Sequence, residues 1–155
     1  MIYKTCYWDS ATKQQLERDC TPVEIAEIEQ RKIPKPLVER QAARWEAIKV
    51  ERDRRKEAGY QVGTKWFHGD TSSRIQQLGL MIMGAGVPAN LQWKTMDGTF
   101  VAMTPTLAGQ VFGAAAANDQ AIFAKAEQHR VGMEASADPS SYDFSGGWPL
   151  TFAGV

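Results

Sequence analysis

The chain has 155 residues with 18 basic and 18 acidic side chains, so its formal net charge is zero. This length suffices for one domain with a real hydrophobic core. The balanced charge gives no electrostatic reason to expect a nucleic acid or an anionic membrane as partner. No apolar run approaches the ~18 residues of a membrane-spanning helix, and the first residues lack the apolar segment of a signal peptide. We therefore expect a cytoplasmic protein.

The charged residues are unevenly distributed along the chain. Most of them precede Phe67, whereas the remainder is richer in glycine, alanine and aromatic residues. This shift predicts an N-terminal hairpin with a short helix (1–35), a charged helical arm (36–59) and a body of hairpins and helices (60–155). The predicted fold class is α+β, with a small hairpin-plus-helix body.

Alternating apolar and polar residues predict an N-terminal hairpin with strands over 2–8 and 14–18. Cys6 and Cys20 flank this hairpin. A disulfide between the two cysteines is one alternative, but we expect two reduced, partly buried thiols in a reducing compartment. Residues 21–24 (Thr-Pro-Val-Glu) combine a capping box with proline at the first helical position, which predicts the start of a short helix.

A longer helix is predicted over 36–58, with Gly59 as its C-terminal stop. Val38, Trp45 and Ile48 are its apolar positions, and the residues that follow are almost all charged. This apolar stripe is too narrow to bury the helix in a monomer core. The helix either packs one edge on the body or forms a seam with copies of itself. The favoured interpretation is a solvated helix with internal ion pairs.

Two further hairpins and two helices are predicted in the body. A small hairpin covers 60–67, and Asp70 caps a helix over 71–83. Asp97-Gly98 supplies the positive φ angles of a two-residue hairpin turn. The β-favouring residues on either side are Trp93, Thr95, Thr99 and Val101.

The last predicted element is a long helix from Pro105 to about residue 133. Thr104 is its N-cap, and a proline at the first helical position costs no hydrogen bond. The predicted buried side consists of Leu107, Val111, Phe112, Ala115, Ile122, Ala126 and Val131.

Several motifs follow one another between residues 66 and 148. They are Phe67-His68-Gly69-Asp70, Ser72-Ser73-Arg74-Ile75-Gln76, the hairpin at 92–105, Ala126-Glu127-Gln128-His129 and Tyr142-Asp143-Phe144-Ser145-Gly146-Gly147-Trp148-Pro149. In this order and spacing they resemble a bacteriophage tail domain of unknown function, found in proteins named as tail fibre assembly or tail fibre proteins. The resemblance covers somewhat over half of the chain and implies a tail-associated phage protein. It implies no catalytic residues.

The residues themselves do not predict an enzyme. His68 and Asp70 lie two apart at a helix start, but capping explains Asp70. His129 is assigned to a charged helix surface. The sequence contains no zinc-ligand spacing, no glycine-rich phosphate loop and no nucleophile elbow. We therefore predict no catalytic residue, no cofactor and no metal.

Binding to another polypeptide is the favoured class of function. Trp45 lies on a helix face with few apolar residues, and Trp148 lies beside a Gly-Gly-Trp-Pro bend. At both places a partner would bury the large ring. The alternative, that both fold back on the protein's own surface, is equally open. The predicted partner-binding residues are Val38, Trp45, Ile48, Phe144, Trp148 and Phe152.

The resulting hypothesis is a non-enzymatic tail fibre assembly protein that acts in the host cytoplasm. It would bind an oligomeric tail fibre or another tail protein, without nucleic acid or membrane, and mask apolar patches during fibre trimerisation. Whether it then stays on the tail of the finished virion is left open. The alternative is a permanent structural part of the virion tail, such as an adaptor or fibre-tip subunit, that forms a homo-oligomer through the charged helix. A tip that contacts host glycan through exposed tryptophans is less favoured.

Overall fold

The computed structural model describes residues 3–152, and the chain divides into two compact units, Met1–Pro36 and Leu37–Val155. Within the described residues, six short strands form three separate antiparallel hairpins, and four α-helices accompany them. The predicted α+β class is confirmed. None of the helices within residues 3–152 combines the length and the apolar content that crossing a membrane requires.

The first unit begins with the predicted hairpin. β1 (Lys4–Asp9) pairs with β2 (Gln14–Asp19) along six residues of each strand. The Asp9 carboxylate accepts a hydrogen bond from the Thr12 hydroxyl (2.6 Å), which closes the turn between the strands. Ile2, near the predicted start of the first strand, lies outside the described residues.

A capping box starts the helix of the first unit, as predicted. α1 (Pro22–Lys32) has Thr21 as its N-cap. The Thr21 side chain accepts from the backbone N–H of Glu24, and the Glu24 carboxylate accepts from the backbone N–H of Thr21 (2.7 Å). Both cysteines of this unit are free thiols. Cys20 is buried, but Cys6 is exposed because β1 leaves most of its side chains open to solvent.

The longest element of the second unit is α4 (Pro105–Glu134), which Thr104 caps as predicted. Two other helices, α2 (Leu37–Glu57) and α3 (Thr71–Met83), pack against it. α2, predicted as a charged arm, contacts α4 along one edge and belongs to this unit. Buried positions recur on α4 every three, four or seven residues, at Ala108, Val111, Ala115, Ile122, Ala126, His129 and Met133.

The prediction that Val131 lies on the buried side of α4 is wrong. Val131 is exposed, and His129 and Met133 are buried on either side of it. A residue two positions away on a helix is turned by about 200°, so Val131 cannot share the stripe that contains His129.

Two hydrophobic clusters hold the second unit together, and α4 contributes to both. The first cluster consists of Tyr60, Phe67, Met103, Ala108, Val111 and Ala115. The second consists of Ile48, Ala126 and Met133, with partly buried Trp45, Tyr142, Phe144 and Trp148 packed against it.

Two small hairpins flank the first cluster. β3 (Tyr60–Val62) pairs with β4 (Lys65–Phe67) around Gly63, as predicted. β5 (Gln92–Lys94) pairs with β6 (Phe100–Ala102), and Trp93 and Val101 face each other in this ladder.

The turn between β5 and β6 differs from the predicted two-residue turn. Residues 95–99 lie outside the ladder, so Thr95 and Thr99 are loop residues. The backbone N–H of Gly98 donates to the carbonyl oxygen of Thr95 (3.0 Å), and Gly98 alone has a positive φ, 82°. The Asp97 carboxylate accepts from the Thr95 hydroxyl (2.6 Å) and from Lys65 Nζ (2.9 Å). These hydrogen bonds hold the pKa of Asp97 well below its usual range and stabilise the longer loop.

Gly69 marks a very close approach between two backbone segments. A Cβ atom added there would lie 2.2 Å from the carbonyl oxygen of Lys56. We expect Gly69→Ala to lower the free energy of unfolding by about 1–3 kcal/mol, because the backbone must shift to accommodate the methyl group. Urea unfolding followed by tryptophan fluorescence measures this change.

Gly109→Ala is the matched control for that substitution. A Cβ atom at Gly109 has no heavy atom within 4 Å, and the residue lies inside α4. Alanine should therefore stabilise the protein there by about 0.5–1 kcal/mol. Equal free energies of unfolding for the two variants would contradict the close approach between Gly69 and the Lys56 carbonyl oxygen.

Candidate interaction surface

Most large apolar side chains of α3 face outward, although a polar residue of the same helix is buried. Gln77 is only 2% exposed, whereas Ile75 and Ile82 expose 66% and 72% of their surfaces. Ile75, Leu78 and Ile82 are spaced three and four residues apart and therefore lie on one stripe of the helix. We call the exposed large residues of this helix the α3 apolar face: Ile75, Leu78, Met81, Ile82 and Met83.

Hydrogen bonds on the inner side fix the orientation of α3. The Gln77 side chain accepts from the Tyr60 hydroxyl and donates to the carbonyl oxygen of His68 (3.0 Å). Arg74, one turn earlier, donates two hydrogen bonds to the Asp119 carboxylate (2.8 and 2.9 Å). Rotating α3 to bury its isoleucines would leave such polar groups unpaired, at a cost of about 1–3 kcal/mol for each.

The tyrosine in this inner network remains a hydrogen-bond donor at neutral pH. Burial raises the pKa of Tyr60 to about 12. The Arg74 guanidinium lies 5.5 Å from the centre of the Tyr60 ring, which adds a cation–π contact to the network. With these contacts and Leu80 on the inner side, both isoleucines of α3 are left exposed.

A shallow groove of about 270 Å³ continues the α3 apolar face toward α4. Its apolar lining includes Ile75, Leu78 and Phe112. Residues 75–93 contain no Asp, Glu, Lys, Arg or His, and neither do residues 98–118. Arg74, which also lines the groove, is paired with Asp119 at its edge. A contiguous apolar patch of this kind is typical of surfaces that another polypeptide covers.

Four of the six predicted partner-binding residues lie together inside the second cluster. Ile48 has no exposed surface, so its side chain cannot contact a partner directly in this structure. Trp45, Phe144 and Trp148 are half-buried and pack against the same cluster. The structure therefore matches the alternative that both tryptophans fold back on the protein itself. A role for these residues in partner binding stays a prediction.

The two remaining predicted residues do not belong to this cluster. Val38 is exposed near the start of α2. Phe152 is half-buried, and its ring centre lies 6.0 Å from that of Trp66. Its backbone N–H donates to the carbonyl oxygen of Ala58 (3.0 Å), which holds this part of the chain beside the end of α2.

The charged residues of α2 form ion pairs within the helix, as the favoured interpretation expected. Glu51 accepts from both Arg54 and Arg55 (2.7 and 2.6 Å). The Arg55 guanidinium also lies 5.2 Å from the centre of the Trp148 ring. The charged side of α2 therefore also helps to hold the C-terminal segment.

His129 corrects another prediction, because it lies in the interior and not on a charged surface. It is 6% exposed, and its ring centre lies 5.0 Å from that of Trp148. Nε2 lies 3.0 Å from the carbonyl oxygen of Gly146 and Nδ1 3.2 Å from the Tyr142 hydroxyl. A carbonyl can only accept, so we assign the proton to Nε2 and the tyrosine as donor to Nδ1. Burial lowers the pKa of His129.

In the pair His68 and Asp70 at the start of α3, the carboxylate has a structural role as a helix cap. Asp70 is the N-cap of α3 and accepts from the backbone N–H (3.0 Å) and the hydroxyl (2.7 Å) of Ser73. These bonds lower the pKa of Asp70. Across residues 3–152, no three side chains of His, Cys, Asp or Glu are grouped so that they could hold a metal ion.

Comparison with known proteins identifies a family. A family model described as a domain of unknown function (DUF4376) matches residues 39–146. This range includes all of α3 and α4, both hairpins of the second unit and most of α2. No curated protein and no solved structure matches the chain.

We expect His129 to make the stability of the protein depend on pH. Its pKa is lowered in the folded state, so the unfolded chain binds the proton more readily. The free energy of unfolding should therefore fall as the pH drops below ~6.5, the ordinary value for histidine, and level off below the folded-state pKa. Urea unfolding between about pH 5 and pH 8 measures this dependence.

His129→Gln separates this effect from other titrations. Glutamine keeps a donor and an acceptor but does not titrate, and His68 is present in both proteins. The wild type should lose its stability advantage over the variant as the pH falls. An advantage that stays constant over the whole pH range would contradict the assignment.

Proposed function

Since the chain belongs to the family described as a domain of unknown function (DUF4376), we propose its function from its surfaces and motifs: it is a bacteriophage tail fibre assembly protein. It binds an oligomeric tail fibre stoichiometrically and catalyses no reaction. It acts in the host cytoplasm and covers apolar patches of fibre subunits until they have trimerised. No cofactor or nucleotide takes part.

The observation that carries this proposal is the α3 apolar face. Polypeptides that assemble slowly expose apolar surface and aggregate through it. A rigid helix that presents isoleucine, leucine and methionine side chains can cover such surface in another chain. Methionine adapts to different partner shapes, because its side chain is unbranched and polarizable.

The sequence motifs support the phage context of the proposal. The motif at 72–76 forms the first part of α3, and the motif at 67–70 provides its N-cap. The motif at 142–149 supplies Phe144 and Trp148 to the second cluster. Two of the segments that resemble a phage tail domain therefore start the helix that presents the proposed fibre-binding surface, and another contributes to the core of the same unit.

The alternative, a permanent tail component that oligomerises through the charged helix, has less support. Trp45 and Ile48 are already packed within the chain. The exposed large apolar residues left on α2 include Val38 and Val50, which are about 18 Å apart along the helix axis. Such separated residues do not form a continuous seam.

Co-expression with the tail fibre protein of the same phage tests the proposal. We expect the tagged protein to co-purify with the fibre and to increase the yield of soluble trimeric fibre. Ile82→Glu should abolish both effects, because a charge then faces the apolar surface of the fibre. Ile82 is exposed and glutamate is a good helix former, so the variant should fold.

Val50→Glu is the matched control. Val50 is 69% exposed, close to the value for Ile82, but it lies on α2. It should leave fibre binding unchanged. Equal fibre yields with and without the protein would overturn the proposal. A fixed copy number in purified virions, measured by mass spectrometry, would favour the structural alternative.

A further inference from the structure

We infer that a second copy of this chain covers the α3 apolar face through a two-fold symmetric contact when no fibre is bound. This goes beyond the proposed function, because it names a second occupant of that face and a register. The basis is the order of residues along the outer stripe of α3, Ile75-x-x-Leu78-Gly79-x-x-Ile82. The stripe begins and ends with isoleucine at equal distances from its centre, and only the central pair, Leu78 and Gly79, differs between the two directions.

An antiparallel pairing of two such helices brings complementary residues together. When the two-fold axis passes between Leu78 and Gly79, Ile75 of each copy faces Ile82 of the other. Leu78 of each copy then faces Gly79 of the other. A two-fold interface requires one patch to be complementary to itself, and this stripe meets that requirement.

Like Gly109 and Gly113 on α4, Gly79 is a helical glycine that no close contact within the monomer explains. It is exposed in the middle of α3, and an added Cβ atom there would have no heavy atom within 4 Å. A glycine inside a helix is less stable than alanine, because it loses more backbone freedom on folding. In the dimer, the missing side chain leaves a hollow between Ile75 and Ile82 that accepts the leucine of the second copy. This allows the helix axes to approach to about 8 Å.

The absence of ionisable side chains from the stripe itself favours a copy of the same chain as occupant. Residues 75–93 contain no ionisable side chain. A partner with charged residues would have to remove them from water without compensation. A second copy brings the same uncharged stripe, and Arg74 beside it is already paired with Asp119 within each chain.

The area of the face indicates a weak dimer. The five side chains expose on the order of 500 Å² per copy, at the upper end of the largest patches on monomeric proteins. Two copies would bury at most about 1,000 Å² in total, because Met81 and Met83 lie beside the stripe; this is below the standard size of stable interfaces. We expect a dissociation constant on the order of 10–100 µM. Such a dimer protects the face and releases it to a stronger partner.

Sedimentation equilibrium of the full chain over a range of concentrations tests the dimer without any fibre protein. Absence of a dimer would therefore contradict this inference without contradicting the proposed binding to the fibre. We expect reversible dimerisation of the wild type and of Val50→Glu. Ile75→Lys and Ile82→Glu should each weaken dimerisation at least tenfold, because each buries a charge against an isoleucine.

Mixing these two variants tests the register. In a mixed dimer, the lysine at 75 of one copy faces the glutamate at 82 of the other, and the second pair remains Ile75 with Ile82. The mixture should therefore dimerise more tightly than either variant alone. A parallel pairing, or contact through another surface, predicts no such recovery.

Gly79→Leu tests the hollow. The position is open within the monomer, so the variant should fold with unchanged or higher stability. It should fail to dimerise, because the added side chain fills the space for the leucine of the second copy. Gly109→Leu, at another open helical glycine, should dimerise like the wild type. A wild type that is monomeric throughout, a mixture without recovery, or dimerisation of Gly79→Leu at wild-type strength would each overturn the inference.

Discussion

The second unit depends on a stripe of buried residues along α4 that falls into two parts. The N-terminal part of the stripe, with Val111 and Ala115, packs into the first cluster, and the C-terminal part, with Ala126 and Met133, packs into the second. A helix of this length spans about 45 Å, too far for one globular core of this size. Small residues on the stripe let neighbouring elements approach closely. Asp119 lies between the two parts, and its pairing with Arg74 ties α3 to the middle of the helix.

The position of α3 is decided by polar contacts, and its exposed surface is a consequence of them. Arg74 and Gln77 hold partners in the interior that no apolar side chain could satisfy. The isoleucines of the same helix therefore remain in water, at a loss of about 25 cal/mol for each Å² left exposed. An assembly protein needs such a surface in the free state, and the inner hydrogen bonds keep it there.

Features that are set by neighbouring residues could be predicted from the sequence. Thr21, Asp70 and Thr104 each cap a helix through a backbone N–H only three residues away, so the helix starts are correct. The burial of His129 could not be predicted in this way, because its partners Tyr142 and Gly146 follow it by 13 and 17 residues. Its distance from Ala126 and Met133 could have suggested burial, since three- and four-residue spacings continue the apolar stripe.

The direction of the α3 apolar face could not be predicted either, because Tyr60 and Asp119 lie far from it in the sequence. The absence of ionisable side chains from residues 75–93 also affects digestion by proteases. Between Arg74 and Lys94 there is no lysine or arginine, so trypsin-like enzymes have no cleavage site within the exposed face. Enzymes that cleave after large aliphatic residues find their preferred side chains there, and a covering chain would shield those bonds from them.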